Sequence, residues 1–188
     1  MTKAGPTPPA PKFRSLDQPG AFAYPNIWAQ GKTTGPDRLI IAPSAGHVEL
    51  LLELSRVLPE PFGILYVLTV PRIREEGRYQ NPEPTDRATI EAFFREYREF
   101  FEGDGRHHVW AMSLPAKATL VYDHHNVIYA YGPLDKYKRV LAAKGLREEP
   151  DVRFPTPHEH NFNSCYDSCE EKILAHWAWK RFPLKEHD

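Results

Sequence analysis

The chain has 188 residues, 41% apolar and 26% charged, near the globular norm, which excludes a disordered or fibrous chain and fits one domain with a tail. Lys plus Arg number 24 against 25 for Asp plus Glu, and at net −1 the chain lacks the positive excess that draws proteins to nucleic acid. No stretch approaches the ~20 apolar residues of a membrane span, residues 1–14 hold no signal-type apolar run, and cysteines number only two, so a cytoplasmic location away from membranes is expected.

Seven of the 19 prolines fall in residues 1–36, which predicts an N-terminal extension without regular structure. Its run PTPPAP at 6–11 favours polyproline II and offers PxxP spacing. Phe22, Tyr24, Ile27 and Trp28 are too apolar for a solvated tail and are expected to lie against a single domain over 37–188. There, Leu39-Ile40-Ile41-Ala42 reads as a buried strand. Val48, Leu51, Leu52 and Leu58 recur at helical spacing, predicting a helix over 45–57 that Pro59 and Pro61 end. Residues 62–70 supply a second buried strand, and 71–84 read as a polar loop.

Thr85 is placed to cap the next helix, whose aromatic stripe (Phe93, Phe94, Tyr97, Phe100, Phe101) reads as core. Gly103-Asp104-Gly105 stops it. Three β-rich runs follow, 107–113, 118–122 and 127–131, expected to pair antiparallel with Asp123-His124-His125-Asn126 as a hairpin loop. Pro133 and Gly145 frame a helix over 133–144. A last helix begins near Ser164 or Ser168, the latter at capping-box distance from Glu171, and carries Ile173, Leu174, Trp177, Ala178 and Phe182. These elements predict an α+β fold: a mostly antiparallel five-stranded sheet with four helices packed on it, and a strand–helix–strand unit contributing a parallel pair.

The sharpest candidate chemistry is His158, His160, Cys165 and Cys169 as zinc ligands, since zinc selects imidazole and thiolate and two cysteines at i, i+4 share a helix face. Their spacing matches no paired-knuckle zinc signature, and the bland reading makes the cysteines small core residues. Asp123-His124-His125 with His107-His108 forms a second titratable cluster, in which strand alternation should send one member of each histidine pair away from the other. Whether these groups meet the 158/160 pair decides how much nine histidines mean. Ser44, in Ala42-Pro43-Ser44-Ala45-Gly46, lacks the first glycine of a nucleophile elbow and reads as a helix cap, and no GxGxxG or GxxxxGK[ST] occurs.

Arg78, Tyr79, His124, His125, Tyr129, Tyr131 and Trp179 are of the types that anchor interfaces and are candidate binding residues. With no complete catalytic motif, the leading expectation is a non-enzymatic, cytosolic protein-interaction domain of the inhibitor, immunity or adaptor kind, with a protein partner and no cofactor. The rival is a zinc-dependent hydrolase using the His/Cys cluster, or a domain holding a purely structural zinc.

Overall fold

The computed structural model describes residues 9–17 and 20–186; part of the proline-rich run, including Pro6, Thr7 and Pro8, lies outside them. The extension that its prolines mark as irregular contributes two strands, β1 (Phe13–Ser15) and β2 (Ile27–Gly31), and Tyr24, Ile27 and Trp28 are buried as their apolar character requires. β3 (Arg38–Ala42) leads through Gly46 into α1 (His47–Ser55), and β4 (Phe62–Leu68) follows, buried along its whole length as an uninterrupted apolar run in mid-sheet should be. The polar loop expected over 71–84 contains a strand, β5 (Gly77–Gln80).

Two helices replace the long aromatic one: α2 (Arg87–Glu96) and α3 (Arg98–Gly103) break at Tyr97, whose φ of −100° and ψ of 14° leave the helical region. Asp86, not Thr85, caps α2 by accepting from the Thr89 N–H at 2.8 Å. Thr85 is taken by β4, exchanging both backbone bonds with Phe62. Next come β6 (His107–Ser113), β7 (Ala118–Tyr122) and β8 (Ile128–Tyr131), paired antiparallel as expected. α4 (Leu134–Ala143) ends in a Schellman motif: Leu146 N–H reaches the Leu141 carbonyl and Gly145 N–H the Ala142 carbonyl, with Gly145 at φ 77°.

β9 (Arg147–Glu148) and β10 (His158–His160) precede a 3-10 turn (Ser164–Tyr166) and α5 (Asp167–His176). α5 starts at Asp167, so Ser168 sits inside its first turn rather than capping it, and Trp177 is already extended. β11 (Lys180–Phe182) therefore takes Phe182 out of the expected helix and onto a sheet edge.

Among the described residues the sheet has nine strands, not five, in the order β11-β5-β4-β6-β7-β8-β3-β2-β9, with β1 and β10 forming a separate pair, and five α-helices rather than four accompany it. Of the additional strands, β2 and β5 pair with their chain neighbours β3 and β4, whereas β9 and β11 are two- and three-residue pieces held by partners remote in sequence. β3 and β4 are not neighbours; β6, β7 and β8 lie between them, and the parallel pairing among the described residues is β2 with β9. No helix among these residues is long and apolar enough to cross a membrane.

Alternation sorts the central strands into two faces. Leu39, Ile41, Val109, Ala111, Leu120, Ile128 and Ala130 point to the helices and form the main core. On the other face Phe13, Tyr24, Ile27, Val127 and Val152 make a small second core over one end. The rest of that face, including His108, Trp110, Thr119, Tyr129, Tyr131 and Arg38, stays half-buried and open.

Candidate metal centre

The β7–β8 turn is built by its own side chains. The Asp123 carboxylate accepts the backbone N–H groups of His125 at 2.9 Å and Val127 at 3.0 Å, and Asn126, at φ 61°, accepts the Tyr122 hydroxyl at 2.7 Å. From below, the buried Lys12 ammonium donates to the Asp123 carbonyl at 2.7 Å and the Phe101 carbonyl at 2.8 Å. Burial pulls its pKa down to about 7 against the pull of Asp123. Because His124 and His125 occupy a locked turn rather than a strand, alternation does not separate them; their rings lie 4.2 Å apart by centroid.

Pairing of β10 with β1 brings the second histidine pair to the first. Phe13 stands opposite His160 and Ser15 opposite His158, which puts both histidines on one face while Glu159 turns out to Arg14. His160 lies 4.4 Å from His124 and 4.8 Å from His125 by ring centroid, and His158 5.1 Å from His125. On β6, His108 joins through a 2.5 Å contact between its Nε2 and His124 Nδ1. Its neighbour His107 points to the opposite face, enclosed by Phe100 and Phe101, as strand alternation predicts. Five histidines from three regions of the sequence thus converge.

One ligand nitrogen each from His124, His125 and His160 lies within 4.8 Å of the others. Three protein ligands with room for a fourth is the complement of a catalytic zinc. The outer contacts set the tautomers. His125 Nδ1 faces the Asp123 carboxylate at 3.1 Å and His158 Nδ1 the Pro155 carbonyl at 2.8 Å; both partners can only accept, so both Nδ1 atoms carry protons. The two Nε2 atoms then face each other at 3.2 Å with lone pairs on both sides, a repulsion that a shared proton or a metal ion would each relieve. Two nitrogens about 2.0–2.1 Å from one tetrahedral ion stand roughly 3.3 Å apart. The Asp123–His125 contact is the carboxylate–histidine pairing that orients metal-bound imidazoles.

Burial holds His124 down to about 2, aided by the charge of His108, and holds His160 down to about 4, aided by His125. Both rings are therefore neutral at pH 7 and ready to donate a lone pair. Asp123 stays ionised: burial favours its neutral form, but the bonds and charges of His125 outweigh that and keep its pKa below the usual range.

The centre opens on a cleft of about 610 Å³ over the free sheet face, with Trp110, Val121, Tyr129 and Phe154 as apolar walls and Arg38 and Lys117 as cations. Of the expected zinc ligands, His160 belongs to the three-histidine group and His158 touches it. Cys165 is exposed, and Cys169 is half-buried against the main core; neither belongs to a potential metal group among the described residues. Of the expected binding residues, His124, His125, Tyr129 and Tyr131 line the cleft. Arg78 lies on β5 near the Trp110 ring, Tyr79 is buried with its hydroxyl on the Glu75 carbonyl, and Trp179 packs on the core with its indole N–H on the Ile173 carbonyl. Arg38, Trp110 and Phe154 carry no motif; only the alternation of β3 and β6 could have placed the first two on a shared face. None of the family models, curated proteins or solved structures with which the chain was compared matches it.

Proposed function

We propose that the protein is a metal-dependent hydrolase in which His124, His125 and His160 hold a divalent cation, zinc foremost, at the end of the cleft. The carrying observation is that one ligand nitrogen each from His124, His125 and His160 lies within 4.8 Å of the others, with the His158 Nε2 3.2 Å from that of His125. A cation held there would supply Lewis acidity and lower the pKa of a bound water to about 7. Asp123 fixes the His125 tautomer, and His108 orients His124 through its ring nitrogen. His158 is the fourth imidazole, placed either to complete the ligand set or to take a proton from the attacking water. The cleft walls exclude solvent from one side of the substrate.

The test is zinc content and calorimetric zinc titration of protein purified without a His-tag. Near-stoichiometric zinc is expected in the wild type and in a Cys165→Ser/Cys169→Ser variant, and loss of it in His125→Ala/His160→Ala. Hydrolysis of an ester, amide and phosphoester panel should vanish with the metal. Zinc that follows the cysteines instead would return the site to the thiolate version, and a protein that takes up no metal ends the reading.

A second reading, the protein-interaction domain, draws on β11, a sheet-edge strand exposed along its length whose Phe182 is 47% accessible. It predicts a stable partner complex that Phe182→Asp abolishes while zinc uptake is unaltered.

A further inference from the structure

Arg38 lines the cleft as a cation with no carboxylate partner among the described residues. It pairs with Tyr131 across β3 and β8, three residues or about 10 Å along the strand from the hairpin end at Ile128. Its Nη1 donates to the Tyr131 hydroxyl at 2.8 Å, and its guanidinium folds back towards the histidines over the Tyr129 ring at 4.4 Å. Its Nε is buried and has no hydrogen-bond partner. The adjacent carboxylate, Asp37, is bonded to Gln30 instead, and no ion pair to Arg38 occurs among the described residues.

An unmet N–H on a charged group is unfavourable, so an acceptor brought to this guanidinium by a ligand would be stabilising. A guanidinium without a protein carboxylate can meet a ligand carboxylate through two parallel N–H bonds. Lys117 adds a second positive group, whereas the carboxylate lining the cleft, Asp123, is occupied by His125 and two backbone N–H groups. Between the cation and the histidines the walls are apolar and largely aromatic: Trp110, Val121, Tyr129 and Phe154.

We infer that the cleft binds a small organic carboxylate with a flat apolar body, its anionic group on Arg38. That its reacting bond then lies towards the histidines rests on the metal reading; the binding itself does not need the metal. The site selects carboxylates over neutral isosteres and holds the body against Trp110 and Tyr129.

The experiment is calorimetric titration of 4-phenylbutyrate and of neutral 4-phenylbutanamide into protein stripped with EDTA and dialysed, then into zinc-loaded protein. The carboxylate is expected to bind metal-free wild type at least tenfold more tightly than the amide, and Arg38→Gln to remove that preference while a thermal melt shows it folded. If Arg38→Gln does not fold, the wild-type comparison and Tyr131→Phe decide, the latter expected to reduce the preference several-fold. Equal binding of the two ligands, no binding to stripped protein, or an undiminished preference in a folded Arg38→Gln overturns the inference. A carboxylate that binds only zinc-loaded protein and ignores Arg38→Gln is a metal ligand, which overturns the inference and leaves the metal centre standing. Arg38-dependent binding by a protein that takes up no zinc does the reverse.

Discussion

Asp123 joins the turn to the chemistry: one carboxylate oxygen shapes the backbone, the other orients His125, and its carbonyl receives the Lys12 ammonium. Asp123→Asn keeps an acceptor for the turn but removes the charge facing His125, and zinc affinity is expected to fall about 10–100-fold in a competition titration, with folding preserved. Unchanged affinity would mean that His125 is not a ligand. The histidines also set acid stability. Burial lowers His47 to about 3, His124 to about 2 and His160 to about 4, whereas in the unfolded chain each titrates near 6.5. Between those values the unfolded state binds more protons, so stability falls as pH drops below about 6.5. The urea midpoint of metal-free protein should accordingly be lower at pH 5 than at pH 7; equal midpoints would mean that these rings are solvated.

α5 is fastened to the sheet by charge rather than by a wide apolar face. Arg106, fully buried, bonds Asp104 at 2.7 Å and Glu170 at 2.6 Å, and the Glu170 carboxylate also accepts the N–H groups of Arg72, Ile73 and Arg74. Arg106→Met leaves two buried carboxylates without their cation, at an expected cost of about 3–5 kcal/mol in denaturant unfolding. A cost below about 1 kcal/mol would show that water reaches the network. Such elements explain where local reading stops. Strands β6 to β8 and helix α4 were legible because apolar period, turn residues and a C-terminal glycine agree with one another. β9 and β11, two and three residues long, have no period of their own and exist through hydrogen bonds to β2 and β5.

Across the whole molecule, the histidine centre gathers side chains from β6, the β7–β8 turn and β10, so a metal held there would be a clasp between segments distant in sequence. Zinc at about 100 times its dissociation constant is expected to add roughly 2.7 kcal/mol of stability, read as a higher melting temperature, and His125→Ala/His160→Ala should show no such rise. A wild type indifferent to zinc contradicts the clasp.

By itself the sequence determined the class of fold, the main-core positions and the hairpin that carries His124 and His125, because apolar periodicity, turn chemistry and helix punctuation act within a few residues. It also singled out the histidines as residue types able to bind metal. The tertiary structure decided which of them meet. His108, His124 and His160 come from separate elements, and only the pairing of β10 with β1 brings the last of these to the turn, leaving Cys165 exposed. Arg38 opposite Tyr131 is the same kind of fact, since register across non-consecutive strands depends on long-range pairing for which no local pattern in the chain provides.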